Sequence, residues 1–238
     1  MALKMVLFDL DGTLLPMDQD KFVKSYFGLL AKKMAGFGYK PDALIDGVWK
    51  GTGAMVKNNG AKTNESVFWE TFAHLVKENA SEDIPIFEEF YRVDFQNVKD
   101  VCGCNPNAAK AVKRIKDMGL RTALATNPIF PSIATESRIK WAGLSPSDFE
   151  KYTSYENSHF CKPNPKYFAE VIEDLGVEPD ECLMVGNDLG EDTPAESLGM
   201  KVFIVTDCLI EKSGVSLDDY PHGGFDELAE YVEEIMEK

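Results

Sequence analysis

The chain has 238 residues, 44% of them hydrophobic and 27% charged, enough for one large domain or a core with an accessory domain. Its formal net charge of −15 argues against a nucleic-acid partner, since phosphate backbones are met by basic surfaces. No apolar run reaches the roughly 18 residues of a membrane span, and the start lacks a secretory cleavage pattern, so a cytoplasmic protein is expected. Cys102, Cys104, Cys161, Cys182 and Cys208 are odd in number and unevenly spaced, which reads as reduced thiols.

Met5 to Phe8 is a short apolar run of the kind a buried parallel strand needs. Asp9 and Asp11 follow it, and would share a face if the chain stays extended. Gly12 permits a sharp exit. From Asp20 to Met34, apolar residues recur near a 3.6 period and predict a helix, interrupted by Gly36, Gly38 and Pro41. Asp42 to Trp49 reads as a short second helix, Gly51 to Gly53 as a break, and Ala54 to Lys57 as a resumed helix. Thr63 is placed to cap a helix reaching about Asn79, and Ser81 begins another that runs through Tyr91. No period-two strand lies between Pro16 and Val98, so the first strand is followed by an all-helical block.

Asn105-Pro106 opens a helix that stops at Gly119. Leu120 to Ala125 reads as a strand ending in Thr126-Asn127-Pro128. Ile133 to Trp141 is helical, and a loop-rich segment then leads to Lys162. Lys166 to Leu175 is a helix closed by Gly176. Cys182 to Val185 is a strand ending in Gly186-Asn187-Asp188. Thr193 to Leu198 is a short helix, Lys201 to Val205 a strand, and Phe225 to Met236 the closing helix. Strands alternating with helices mean βαβ units and a parallel sheet, into which the helical block is inserted.

In a parallel sheet all carboxyl ends lie on one edge, so Asp9 and Asp11, Thr126 and Asn127, and Asn187 and Asp188 converge there, with Lys162 nearby. Asp9, Asp11 and Asp188 are too much negative charge for a small space unless a cation sits among them, and oxygen ligands suit Mg²⁺. With a lysine and a threonine hydroxyl, that set matches the demands of phosphoryl transfer. A carboxylate can be the nucleophile, and a second one two residues on can act as general acid and base.

These residues resemble a known family. DLDGT at 9–13, TN at 126–127, KPNP at 162–165 and GNDLGED at 186–192 resemble the four ordered motifs of the haloacid dehalogenase (HAD) superfamily. The resemblance implies an α/β, Rossmann-like doubly wound parallel sheet core over 1–15 and 100–238, with an inserted all-helical cap over 16–99. It implies Asp9 as nucleophile and Asp11 as general acid/base, with Thr126 and Lys162 on the phosphoryl oxygens and Gly12 and Asn127 beside them. Mg²⁺ would be held by the Asp9 carboxylate, the Asp11 carbonyl and Asp188. Asp192 fits the second acidic position of the fourth motif, and a helix-capping role is equally open to it. Many relatives place the acid directly after the glycine, where this chain has Asn187.

The expected function is Mg²⁺-dependent hydrolysis of a small phosphorylated metabolite through an aspartyl-phosphate. A phosphomutase would use the same two aspartates, and a receiver-like signalling module or a silent metabolite-binding protein are readings from other classes. For substrate contact, Lys50, Thr52, Lys57, Asn58 and Asn59 cluster in the glycine-rich break; a solvated loop is the alternative there.

Overall fold

The computed structural model describes residues 2–77 and 79–237; Met1, Glu78 and Lys238, which fall in the predicted segments 1–15, 16–99 and 100–238, lie outside them. Among the described residues, five strands form one sheet: β1 Met5–Phe8, β2 Arg121–Leu124, β3 Cys182–Gly186, β4 Lys201–Val205 and β5 His222–Gly223. Every pairing is parallel, in the order β2-β1-β3-β4-β5. The order reverses direction beside β1, so the crevice at its carboxyl end is the topological switch point where ligands of open α/β sheets bind. β5 is absent from the sequence reading, because two residues carry no periodicity.

The α-helices are α1 Gln19–Ala35, α2 Pro41–Val56, α3 Asn64–Val76, α4 Ile84–Arg92, α5 Pro106–Asp117, α6 Ser132–Trp141, α7 Pro165–Leu175 and α8 Phe225–Met236. Side-chain caps open several of them: Asp18 accepts from Lys21 N, Thr63 from Ser66 N, Asn105 from Asn107 N and Asn164 from Lys166 N. The segment expected as a helix from Thr193 to Leu198 is a 3₁₀ turn, and so is Asp94–Val101.

Period-two alternation along β1 divides the core. Met5 and Leu7 pack with Phe168, Val171 and Ile172 of α7. Val6 and Phe8 face the other way, toward Val112 of α5 and Leu228 of α8. This second cluster does not stop at the sheet. It continues through Ile139 and Trp141 of α6 into Phe22, Tyr26, Phe90 and Phe95 of the helical block. Phe95 sits 5.1 Å from the Trp141 ring, and Phe22 lies edge-on to Phe95 at 6.2 Å. Aromatic pairs of this kind contribute about 0.5–1.5 kcal/mol each beyond their burial.

One local expectation is overturned. α2 runs unbroken through Gly51 and Gly53 instead of breaking there. The glycines serve helix packing: a Cβ on Gly47 would lie 2.1 Å from Val76 Cγ2, and one on Gly51 would lie 2.6 Å from the Phe68 ring. α2 and α3 approach too closely for larger side chains, and that contact outweighs the roughly 1 kcal/mol propensity cost of each glycine. No helix among the described residues is long and apolar enough to cross a membrane.

Candidate active site

Phe8 pairs with Leu124 on one side and Val185 on the other, so β1, β2 and β3 end at the same level. Asp9 N donates to Val185 O at 2.8 Å, and Ala125 N donates to Phe8 O at 2.7 Å. The chain then leaves extended geometry at Leu10, whose carbonyl accepts from Thr13 N and Leu15 N. Strand periodicity therefore does not carry to Asp11. The turn nevertheless brings Asp9 and Asp11 into the same cavity. Gly12 makes it possible: its φ is +88°, and a Cβ there would stand 2.5 Å from Asn187 Nδ2.

Lys162, just ahead of α7, is buried and joins two carboxylates. Its Nζ donates to Asp9 Oδ1 at 2.9 Å and to Asp192 Oδ1 at 2.6 Å. Burial by itself would push the ammonium down, yet Asp192 and Asp9 hold it well above its ordinary value. For Asp9 burial is the largest influence and lifts the carboxyl to about 7; Lys162 opposes this, while Asp192 and Asp11 add to it. The Thr13 hydroxyl lies 3.1 Å from Asp9 Oδ2 and 2.9 Å from Asn187 Oδ1.

β3 delivers the last acidic group. Asn187 is fixed beneath the site, its Nδ2 donating to Cys208 O at 2.6 Å. Asp188 lines the cavity, with Oδ1 accepting from Gly190 N at 2.6 Å and Glu191 N at 3.1 Å. Asp192 stands at the start of the 193–198 turn but its side chain does not cap it. Its Oδ1 takes Lys162 and its Oδ2 accepts from Asp188 N at 3.0 Å. Gly186 leaves room for this, since a Cβ there would be 1.9 Å from Asp192 Oδ2. Thr126 is buried at the end of β2, its carbonyl accepting from the hydroxyls of Thr153 and Tyr167 at 2.6 and 2.8 Å. Asn127 Nδ2 lies 3.1 Å from both carboxylate oxygens of Glu191, and its Oδ1 is buried without a partner.

Two site residues escaped the sequence reading. Glu191 lies inside the fourth motif but was given no role; burial lifts its carboxyl to about 7, with Lys162 opposing and Asp188 and Asp192 adding to the rise. Arg138 of α6 is wholly buried and pairs through Nη1 with Asp11 Oδ2. It also donates to Ala134 O and Thr135 Oγ1, and its guanidinium lies 4.6 Å from the Phe130 ring centroid. Its only sequence signal was a cation on an otherwise buried helix face. The second Asp11 oxygen, Oδ1, is buried and unpaired.

Asp9, Asp11, Thr126, Asp188, Glu191 and Asp192 line the floor of a 460 Å³ cavity roofed by the helical block, with Lys162 and Arg138 buried behind them. Of the residues expected to contact substrate, Thr52 lines it and the other four do not. Lys50 pairs with Asp46 at 2.7 Å on the outer face of α2, and Lys57 is exposed. Asn58 donates to Asn64 Oδ1 and Lys62 O, and Asn59 Oδ1 accepts from Ala61 N. The glycine-rich stretch is helix followed by a turn, so Lys50, Lys57 and Asn59 face outward, while Asn58 is buried in that turn against Asn64 and away from the cavity. The wall is instead aromatic: Phe22, Tyr26, Trp49, Phe68 and Tyr91 all reach the cavity.

No three His, Cys, Asp or Glu side chains among the described residues gather as a self-sufficient metal cluster. Asp11 is paired with Arg138, and Lys162 is shared by Asp192 and Asp9 Oδ1, which leaves Asp9 Oδ2 and the Asp188 carboxylate without a cation among the described residues. Asp9 and Asp188 remain at the cavity. An oxygen-only, incomplete set of this kind fits Mg²⁺, which keeps waters and shares substrate phosphate oxygens, and it does not fit a softer metal.

Comparison with known proteins agrees with this architecture. The profile of the haloacid dehalogenase-like hydrolases matches residues 3–195, and the chain belongs to that family. The glyceraldehyde 3-phosphate phosphatase of Methanothermobacter thermautotrophicus is 26% identical over 215 residues, 88% of this chain and 88% of that protein. YhcW of Bacillus subtilis, which carries a phosphatase designation, is 28% identical over 117 residues, 49% of this chain and 51% of its own length. A HAD phosphatase from Thermococcus onnurineus shares the fold with a TM-score of 0.60 at 21% identity, covering 97% of this chain and 98% of that one. The protein is a phosphatase-like hydrolase of this family.

Proposed function

We propose that the chain is a Mg²⁺-dependent phosphomonoesterase that works through an aspartyl-phosphate on Asp9. In this reading residues 16–99 act as a cap over a core of 1–15 and 100–238, and the substrate is a small phosphorylated metabolite in the cytoplasm. The observation that carries it is the buried Lys162 bridging Asp9 and Asp192 at the floor of a cavity also lined by Asp11, Thr126 and Asp188.

Asp9 attacks phosphorus in line while the ester oxygen departs with a proton from Asp11; water then attacks the aspartyl-phosphate, giving its proton back to Asp11 and freeing phosphate. Thr126 lines the cavity where the phosphoryl oxygens sit, Lys162 balances and positions the Asp9 carboxylate from behind the floor, and Arg138 orients the Asp11 carboxyl. Mg²⁺ would be held by Asp9, Asp188 and the Asp11 carbonyl, and would supply charge neutralisation for the phosphoryl group and favour the ionised form of Asp9. Asp192 serves as the buried counter-ion of Lys162. Five cysteines free of disulfides support a reducing compartment.

Hydrolysis is favoured over mutase chemistry because the aromatic roof offers little to hold a sugar through two half-reactions. A receiver-like module does not account for a large roofed cavity. The test is trapping: enzyme quenched during turnover of p-nitrophenyl phosphate with magnesium should carry phosphate on Asp9 by mass spectrometry. Label on Asp11 or Asp188, or undiminished turnover in chelator, overturns the reading.

A further inference from the structure

The cavity has two unlike halves, and their chemistry restricts the substrate. On the cap side its lining residues include no charged side chain, and most are aromatic. Two pairs of polar tips in the wall bond to each other. The hydroxyls of Tyr26 and Tyr91 lie 2.9 Å apart, and Trp69 Nε1 donates to the Tyr155 hydroxyl at 3.4 Å. On the core side the charged lining residues are all acids. Neither Lys162 nor Arg138 reaches the lining, and both are engaged by Asp9, Asp192 and Asp11. The apolar character extends to the mouth, where Trp49 is 52% exposed and packs on Phe27 at 5.4 Å.

We propose that the substrate's leaving group is an apolar, ring-bearing alcohol with no second anionic group, so that the preferred substrate class is arylalkyl monophosphates. This proposal rests on the phosphomonoesterase reading. A carboxylate or second phosphate beyond the reacting phosphoryl group would face ring faces, which are negative, and acids, with no cation to compensate its lost hydration. A ring gains both apolar burial and edge-to-face contacts. The cavity volume falls within the range of about 300–1,000 Å³ usual for small-molecule sites and exceeds what a two-carbon group fills.

The full chain with magnesium is assayed on 2-phenylethyl phosphate, n-propyl phosphate and phosphoglycolate, which all release a primary alkoxide, so that leaving-group basicity does not dominate the ranking. Burial of one ring predicts kcat/KM for 2-phenylethyl phosphate about 10- to 100-fold above n-propyl phosphate, with phosphoglycolate lowest. Thr52→Arg adds a cation to the wall and should raise phosphoglycolate turnover relative to 2-phenylethyl phosphate. Trp49 and Trp69 both line the cavity, so intrinsic tryptophan fluorescence reports binding independently of chemistry. Phosphoglycolate turned over as well as 2-phenylethyl phosphate, with the ranking unmoved in Thr52→Arg, overturns the proposal. Saturable fluorescence change with 2-phenylethyl phosphate but no hydrolysis of any ester supports the apolar pocket and overturns the phosphatase reading instead. Neither binding nor hydrolysis overturns both.

Discussion

The floor and the roof of the cavity are built on opposite principles. The floor gathers Asp9, Asp11, Asp188, Glu191 and Asp192 at the ends of parallel strands, with Lys162 and Arg138 buried against them. The roof is a set of rings on α1–α4. The floor positions a few polar groups tightly through backbone register and shared ion pairs. The roof offers shape and apolar area but little directional bonding. In the proposed reading this separates chemistry from substrate selection, and the two halves should respond differently to substitution.

The largest expected effect is on the floor. Asp9→Asn should abolish phosphoenzyme formation and reduce turnover toward the roughly 10⁶-fold loss known for removal of a covalent nucleophile. Asp11→Asn should slow an alkyl phosphate by about 10²–10⁴-fold. With p-nitrophenyl phosphate, whose leaving group needs no proton, it should release a burst of at most about one equivalent of nitrophenol and then stall. Wild-type steady turnover by either variant would break the assignment of chemistry to these two groups.

Lys162→Met tests the floor through stability. It leaves Asp9 and Asp192 buried without their shared cation, and removing one partner of a buried pair costs about 3–5 kcal/mol. At roughly 2–4 °C per kcal/mol for a chain of this size, the melting temperature should fall on the order of ten degrees. An unchanged melting temperature would mean that the carboxylates do not depend on Lys162.

The pH dependence of the metal-free protein follows from the raised carboxyls of Asp9 and Glu191, both lifted to about 7 chiefly by burial. Between about pH 5 and 7 the folded state holds protons that unfolded aspartate and glutamate, at about 3.9 and 4.3, have released. The unfolded state binds fewer protons there, so stability should fall as pH rises through that window. Thermal melts at pH 5, 6 and 7.5 should show the decline, and added magnesium should flatten it by favouring the ionised carboxylates. A melting temperature that climbs from pH 5 to 7.5 without metal contradicts the burial argument.

Asp9, Asp11, Thr126, Lys162, Asp188 and Asp192 were legible in the sequence because they sit in short motifs at or near strand ends, where order and spacing carry information; Glu191, within the same fourth motif, was passed over. β1, β2, β3 and β4 were readable as short apolar runs alternating with helices; β5, two residues long, was not. Arg138 was invisible because its partner Asp11 is distant in sequence and only the fold brings them together. The roof was misread for a different cause. Phe22, Tyr26, Phe68 and Tyr91 have the helical spacing of ordinary core residues, and nothing local distinguishes a ring that lines a cavity from one that fills it. Polar residues beside glycines drew attention instead, although Gly47 and Gly51 mark where α2 meets α3.

Gly51→Ala sharpens the contrast from the roof. Alanine favours the helix by about 1 kcal/mol, but its methyl would meet the Phe68 ring, and overpacking costs about 1–3 kcal/mol. The net change in stability should therefore be within about 2 kcal/mol and destabilising. Phe68 lines the cavity, so KM for a ring-bearing substrate should change several-fold while kcat for a small ester stays near wild type. A loss of kcat on all esters would show that floor and roof are not separable.

The smallest effect belongs to Lys57→Ala, a residue the sequence offered as a candidate for substrate contact with a solvated loop as the alternative. Val48 and Thr52, four residues apart on α2, line the cavity. Lys57 follows Thr52 by five residues, which at about 100° per residue points it some 140° away, and it stands at the exposed end of the helix. It has no route to the cavity except through long-range charge, which solvent screens over about 10 Å at 0.1 M salt. KM for 2-phenylethyl phosphate and for a small ester should both stay within about twofold of wild type, the change expected of an exposed residue that touches neither half of the site. A tenfold rise in KM for the larger substrate alone would show that the roof extends past the carboxyl end of α2, and the division between a charged floor and an uncharged roof would then fail at its edge.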